Sequence, residues 1–177
     1  MDKEHLLTTK LIIDGHFHDF QLYSGKFYLW MNQKELNVYD WNKWMKQLVD
    51  VDRPIYLEPQ PSEQISVTIE ELIPFLERTI SFSEPIYDCA IFNHILYFSD
   101  KNGFYRYSLT KNDAQKERIW DQTVYSISLS AKGRMALSAG EAGLFEYLLS
   151  SHYLYDQLDR QKAPRIYQLN AHFASQA

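Results

Sequence analysis

The chain has 177 residues, of which 45% are hydrophobic and 15% aromatic, and this composition is sufficient for the core of one or two globular domains. Its formal net charge of −5 argues against binding to a nucleic-acid backbone, which requires clustered Lys and Arg. A single cysteine, Cys89, excludes an internal disulfide and fits a reducing compartment.

The N-terminal segment, residues 1–9, is charged and lacks the apolar centre of a signal peptide. No stretch of the sequence approaches the roughly 18 consecutive apolar residues of a membrane-spanning helix. We therefore expect a cytoplasmic protein that binds neither a membrane nor nucleic acid.

A group of acidic and histidine residues follows, made up of Asp14, His16, His18 and Asp19. Two histidines that are two positions apart on an extended strand point to the same face and can share a metal ion. The group resembles the His-x-His motif of amidohydrolase-like barrels, which implies a metal-dependent hydrolase. Such barrels need about 250 residues and an alternating strand–helix pattern, and this chain has neither. We expect a role at a strand edge or turn, with His16 and His18 as weak metal candidates.

Three segments of the chain, residues 17–39, 86–107 and 124–147, follow one pattern. Each consists of three short strands separated by two turns, and the middle strand is rich in apolar and aromatic residues. Continuous apolarity of this kind predicts a strand that is buried on both faces. Fourth strands are predicted for the last two segments, at residues 117–120 and 165–169.

Four-stranded antiparallel units at an interval of roughly 40 residues resemble the blades of a β-propeller, of a divergent WD-like or sensor-propeller type. The Gly-His and Trp-Asp signatures of WD repeats are missing as a set. The resemblance implies a mainly β fold of about three to four antiparallel propeller-like blades with a short helical insertion. Closed propellers have 4 to 8 blades, and 177 residues at this interval hold only about four, so we expect a truncated piece of a propeller, a ring that another chain completes, or an open array of blades.

This organisation divides the chain into three parts. Residues 1–57 form an N-terminal blade-like unit with a candidate amphipathic helix, and residues 58–84 form a proline-containing linker with a kinked helix. Residues 85–177 form two consecutive blade-like units.

The helix candidate in the first part is a stripe of apolar residues at helical spacing, namely Trp41, Trp44, Met45, Leu48 and Val49. Two interpretations are open. The stripe packs on the sheet, or it forms a docking surface, because Trp and Met are favoured at interfaces.

A second helix is predicted to begin near Thr68, whose hydroxyl and the Glu71 side chain can form a capping box. Pro74 interrupts this segment, so we expect a kink or a restart of the helix. A strand over residues 65–69 is the alternative. The apolar face of the predicted helix consists of Ile69, Leu72, Ile73, Leu76 and Ile80.

No catalytic motif is recognisable. The sequence has no glycine-rich phosphate loop and no Gly-x-Ser-x-Gly elbow, and Cys89 with His94 has no visible third group. We therefore expect no cofactor and, on balance, no enzyme. The metal-dependent hydrolase and a ligand-sensing propeller remain as alternatives.

The function expected from these patterns is that of a protein-interaction scaffold that docks a partner through blade loops and an inserted helix. Its partner would be another protein, the missing blades of the same protein, or a second copy in a homo-oligomer. In a propeller, the turn between the second and third strands lies on the same face as the entry into the first strand. The predicted interaction residues are Trp41, Trp44, Gln33, Lys34, Asp100, Lys101, Asn102, Glu141 and Tyr87, with Glu84 and Gln122 also at strand entries.

Overall fold

The structure is a computed structural model that describes residues 10–48, 64–111, 114–130, 133–149 and 166–168. The fold is mainly β, as predicted, with three four-stranded antiparallel sheets, one two-stranded parallel sheet and only short helices in the described residues. Residue contacts divide the chain into two units between Ser83 and Glu84. Each unit is described separately.

The elements of the first unit are β1 (Lys10–Asp14), β2 (Asp19–Tyr23), β3 (Lys26–Asn32), β4 (Glu35–Asp40), α1 (Trp41–Leu48), β5 (Gln64–Thr68), α2 (Ile69–Leu72) and β6 (Leu76–Ser81). The unit is built on a sheet with the strand order β2-β3-β4-β6, and a parallel pair of strands, β1 and β5, accompanies it. A 3-10 turn at Ile73–Phe75 connects α2 to β6.

The second unit contains two sheets whose strands are ordered as they occur in the sequence. One sheet consists of β7 (Asp88–Phe92), β8 (Ile95–Asp100), β9 (Gly103–Ser108) and β10 (Glu117–Trp120). The other consists of β11 (Ser126–Leu129), β12 (Arg134–Ser138), β13 (Leu144–Leu148) and β14 (Ile166–Gln168). The predicted fourth strands of both sheets are confirmed as β10 and β14.

The first hairpins of two sheets have the same tight turn. Ser24 and Gly25 connect β2 to β3, and Asn93 and His94 connect β7 to β8. All four residues have positive φ angles, of 50°, 72°, 49° and 58° respectively. Two consecutive residues with positive φ match the right-handed twist of the flanking strands, which is why such turns close two-residue hairpins.

Each sheet is also entered in the same way. The backbone N–H of the residue before the first strand donates a hydrogen bond to a carbonyl near the end of the second strand. The donor and acceptor pairs are His18 and Trp30, Tyr87 and Ser99, and Tyr125 and Ser138, at 2.9, 2.9 and 2.8 Å. The residues at these entry positions therefore have a fixed backbone in all three sheets.

The two sheets of the second unit share one hydrophobic core. Ala90, Tyr97 and Phe104 from the first sheet and Met135, Leu137 and Tyr147 from the second are buried in it, together with Val124 from the connection between them. The Tyr147 ring lies edge-on to Phe104 and Tyr97, with centroid distances of 5.8 and 6.0 Å. Burial raises the pKa of Tyr147 to about 12. The two sheets are thus packed face to face.

Polar side chains join the same two sheets. The carboxylate of Asp88 on β7 accepts hydrogen bonds from its neighbour Cys89 N–H at 2.8 Å and from Ile127 N–H on β11 at 2.6 Å. The buried Ser99 hydroxyl accepts a hydrogen bond from Val124 N–H at 2.9 Å and donates to the Gly103 carbonyl at 2.9 Å. These side chains thus accept hydrogen bonds from the backbone N–H groups of Val124 and Ile127, where the chain enters the sheet that begins with β11.

The segment 58–84 differs from the prediction of a linker with a kinked helix. Leu76 and Ile80, assigned to a helical apolar face, lie in β6, which pairs with β4 as the fourth strand of the first sheet. The alternative of a strand over residues 65–69 is realised as β5. The helix ends early because Pro74 lies in the 3-10 turn that follows α2, and the next residues gain a strand partner in β4. The predicted boundary at residue 57 lies outside the described residues.

The predicted start of the second helix is confirmed. The Glu71 carboxylate accepts a hydrogen bond from Thr68 N–H at 2.7 Å, which is one half of the capping box.

The start of α1 is also stabilised by a carboxylate that accepts a backbone hydrogen bond. The Asp40 carboxylate accepts a hydrogen bond from Lys43 N–H at 3.1 Å, and the ammonium groups of Lys26 and Lys43 lie 3.5 and 3.6 Å away. The hydrogen bond and the two positive charges lower the pKa of Asp40.

The lowered pKa of Asp40 predicts a contribution to stability that depends on pH. A carboxylate with a lower pKa in the folded than in the unfolded state stabilises above the unfolded value of 3.8, and this contribution is lost as the pH falls through the folded value. We expect urea unfolding midpoints to fall more for the wild type than for Asp40→Asn between about pH 5 and pH 3. Gln33→Ala, which changes an exposed side chain of the same unit that does not titrate, should retain the wild-type pH dependence. Equal pH profiles of wild type and Asp40→Asn would contradict this expectation.

The hydrogen bonds of Asp88 predict a second effect. Asp88→Ala leaves the Ile127 N–H without its acceptor, which should lower the free energy of unfolding by about 1–3 kcal/mol in urea titrations. The matched control is Asp121→Ala, which removes an exposed carboxylate from the same unit and should change stability by no more than about 0.5 kcal/mol. The role assigned to Asp88 is wrong if the two variants are equally stable.

Candidate interaction surface

The tryptophans of α1 belong to the core of the first unit. Trp44 is only 1% exposed and packs in a cluster with Phe27, Val67 and Leu72, while Trp41 is half-buried. The two indole rings are edge-on at 5.3 Å, and the Phe27 ring lies 5.9 Å from Trp41 and 6.0 Å from Trp44. The interpretation that the helix packs on the sheet is therefore confirmed. The expectation that Trp44 is available to a partner is wrong, because its side chain is buried in the core cluster that also contains Val67 of β5 and Leu72 of α2.

The predicted turn residues of the first unit, Gln33 and Lys34, are exposed. The Asn32 side-chain oxygen accepts a hydrogen bond from Lys34 N–H at 2.7 Å, and the Lys34 carbonyl accepts one from Phe82 N–H at 2.8 Å. The Lys34 ammonium donates to the Ser83 carbonyl at 3.2 Å. This turn is anchored to the chain that leaves β6, and its side chains are on the surface of the first unit.

In the second unit, the predicted turn residues differ in exposure. Lys101 and Asn102 are exposed, but Asp100 is only 2% exposed. Its carboxylate accepts a hydrogen bond from Asn102 N–H at 2.7 Å and lies 3.6 Å from the Lys116 ammonium. Asp100 therefore shapes the turn between β8 and β9, and the expectation that it contacts a partner is wrong. A buried carboxylate needs such partners because burial without them is costly.

Two exposed tyrosines meet at the entries into β7 and β11. Tyr87 is 41% exposed and Tyr125 is 57% exposed, and their ring centroids are 5.5 Å apart with an angle of 31° between the planes. The Tyr125 ring lies over Gly140, where an added Cβ would be 3.0 Å from a ring carbon and where the φ of +61° favours glycine. Tyr87 was predicted as a contact residue and Tyr125 was not. Tyr125 occupies the position in the repeated pattern that is equivalent to that of Tyr87, and this equivalence is the signal that could have identified it.

Polar residues lie in the connections that lead into β7 and β11 and in the neighbouring turns. The Lys101 ammonium lies 3.0 Å from the Glu84 carboxylate, and the Thr123 hydroxyl donates to the Lys101 carbonyl at 3.2 Å. Glu141 follows Gly140 directly, and the backbone of Asp121 passes within 3.4 Å of the Cβ position of Gly103 in the adjacent turn. We call this region of the second unit the entry surface. It consists of Glu84, Tyr87, Lys101, Asn102, Asp121, Gln122, Tyr125 and Glu141.

The histidine group does not form a metal site. Asp14 ends β1, Asp19 begins β2, and His16 and His18 lie exposed in the connection between these strands. The two histidines do not share the face of one strand, because the chain leaves the strand conformation at Gly15, and their position in the connection agrees with the expected role at a strand edge or turn. Across residues 10–48, 64–111, 114–130, 133–149 and 166–168, no three His, Cys, Asp or Glu residues are grouped to hold a metal ion.

Comparison with known proteins gives no family for this chain. No family model matches the sequence, and no curated protein matches it significantly. In the part of the chain that the structure describes, no helix is long and apolar enough to cross a membrane.

The burial of Trp44 predicts a clear difference between the two tryptophans. Trp44→Ala should reduce the free energy of unfolding by about 3–5 kcal/mol, because it leaves a large cavity between α1 and the sheet. Trp41→Ala should have a smaller effect, since Trp41 is half-buried. Urea unfolding followed by circular dichroism measures both. If Trp44→Ala were as stable as the wild type, the assignment of α1 to the core would be contradicted.

Proposed function

We propose that the chain is a protein-interaction scaffold made of propeller-like blades, which docks a protein partner on the entry surface of its second unit. The observation that carries this proposal is the contact between two exposed tyrosines, Tyr87 and Tyr125, at equivalent entries into adjacent sheets. Tyrosine is enriched at protein interfaces and among the residues that contribute most to binding. Its ring supplies contact area, and its hydroxyl can pair with polar groups.

The rigidity of the entry surface supports the proposal. The backbone N–H groups of Tyr87 and Tyr125 donate to the Ser99 and Ser138 carbonyls, and Tyr125 also packs over Gly140. A partner would meet side chains whose backbone is already fixed. The loss of conformational entropy on binding is therefore small, which favours affinity.

The sheet architecture also supports a scaffold. Each four-stranded antiparallel sheet has the strand order of a propeller blade, and such folds commonly present loops and turns to their partners. The likeness of the sheets to propeller blades is an analogy of fold, whereas the tyrosine pair is a property of this chain. We include a cytoplasmic location in the proposal because the single cysteine, Cys89, is half-buried on β7 and cannot form an internal disulfide, which fits a reducing compartment.

Replacement of both tyrosines tests the proposal. In affinity capture from cell lysate with quantitative mass spectrometry, Tyr87→Ala/Tyr125→Ala should lose at least about tenfold of a partner that the wild type retains, since loss of an interface tyrosine often costs about 2 kcal/mol. The melting temperature should remain close to that of the wild type, because neither tyrosine belongs to the buried core of the unit.

The matched control is Phe20→Ala, which removes an exposed aromatic side chain from the first unit. This variant should retain the captured partner. Unchanged capture by the double tyrosine variant, or equal loss with Phe20→Ala, would contradict the proposed role of the entry surface.

A further inference from the structure

We propose that the outer edge of β1, which is the edge that does not pair with β5, pairs with the same edge in a second copy of the chain. The two β1 strands are antiparallel and centred on Ile12, and a two-fold axis relates the copies. The result is a mixed sheet of four strands, with one β1 strand of each copy in its centre. This edge belongs to the first unit and the entry surface to the second, so the inference goes beyond the proposed function and does not depend on it.

The parallel pair of β1 and β5 is an incomplete sheet. Its residue pairs run from Lys10 with Gln64 to Asp14 with Thr68, and within the described residues neither strand has a further strand partner. Two strands alone form few hydrogen bonds, and parallel pairs are normally part of larger sheets. The outer edges of both strands therefore present backbone N–H and C=O groups to which another strand can be added.

Of these two edges, that of β1 lacks the features by which proteins usually protect an edge strand. Leu11, Ile12 and Ile13 form an apolar run without proline or charge, and its pairing with β5 has no bulge. All three are only half-buried, whereas β5 has the polar residues Ser66 and Thr68 exposed. Leu11 and Ile13 pack on the core cluster, and Ile12 points to the opposite face because side chains alternate along a strand. A continuous apolar run is typical of a strand with neighbours on both sides.

The charged residues at the two ends of β1 indicate a second copy as the occupant. Lys10 is the first residue of the strand and Asp14 is the last. An antiparallel pair centred on Ile12 places Lys10 of each copy opposite Asp14 of the other, and Leu11 of each opposite Ile13 of the other. Residues of opposite charge and apolar residues both stabilise an antiparallel pair when they are directly opposed. A strand of another protein needs the reverse order of charges, which a second copy has by symmetry.

The same residues select one register. When the core faces of both copies lie on the same side of the sheet, the register changes only in steps that keep each side chain on its own face. Centring the pair on Leu11 places Ile12 opposite Lys10, and centring it on Ile13 places Ile12 opposite Asp14. Both registers lose the paired charges and place an apolar residue against a charged one. Only the register centred on Ile12 matches charge with charge and apolar with apolar residues.

Sedimentation velocity of the full 177-residue chain, over about 5 to 500 µM, tests the inference. A pair of short strands buries less surface than the roughly 1,200 Å² of a stable interface, so we expect a reversible dimer with a Kd in the micromolar to millimolar range. Ile12→Lys places like charges opposite each other at the centre and should raise this Kd by at least about tenfold. The matched control is Ser66→Lys, which adds the same charge at the exposed β5 position paired with Ile12 and should retain the dimer.

Complementary charge variants test the register. Lys10→Glu and Asp14→Lys should each weaken self-association by about fivefold, because each places like charges opposite each other. An equimolar mixture of the two should form a mixed dimer with an affinity close to that of the wild type. In this dimer the two substituted positions have opposite charges, and so do the two unchanged ones. Glu70→Lys changes an exposed carboxylate of the same unit by the same charge, and it should not form such a dimer with Lys10→Glu.

Several results would overturn the inference. These are a monomer over the whole concentration range, equal dimerisation of Ile12→Lys and Ser66→Lys, or a mixture of the two charge variants that associates no more tightly than either alone. Circular dichroism melting checks that each variant retains the fold, and the mixing experiment does not depend on Ile12→Lys. The proposed function is tested separately, because Tyr87→Ala/Tyr125→Ala should dimerise like the wild type. Loss of the dimer in this tyrosine variant, with the dimer kept by Ile12→Lys, would assign self-association to the entry surface instead.

Discussion

The second unit depends on the hydrophobic core that its two sheets share. A β-sheet with an apolar face is stable only when that face is covered, and here each sheet covers the other through Tyr97, Phe104 and Tyr147. Apolar contacts are not directional, so they leave the relative position of the sheets poorly specified. The hydrogen bonds from Ile127 N–H to Asp88 and from Val124 N–H to Ser99 are directional, and they fix the start of one sheet against the other.

The first unit covers its sheet in another way. The segment between β4 and β6 contains α1, β5 and α2, and Trp44, Val67 and Leu72 from this segment pack on Phe27 and Leu29. The chain then returns to add β6 as the fourth strand of the same sheet. The insertion is therefore placed within a sheet, between its third and fourth strands, and its tryptophans are part of the core.

The candidate site follows from the core of the second unit. Tyr87 and Tyr125 come directly before the first strands of adjacent sheets, and the packing of those sheets brings the two rings to a centroid distance of 5.5 Å. Residues that are held by strands keep a more exact geometry than residues on long loops. The candidate site is therefore a pair of exposed aromatic rings whose backbone is fixed by hydrogen bonds.

The sequence by itself determined the strands and turns of the three repeated segments and the capping box of Thr68 and Glu71, because these depend on neighbours within a few residues. It also indicated most of the entry surface through the repeated pattern. Only the tertiary structure decided that the residues after Pro74 form a strand, that Trp44 and Asp100 are buried, and that Tyr87 contacts Tyr125. The physical reason is that a local pattern shows which side chains are apolar or polar, whereas burial and contact depend on segments that are far away in the sequence.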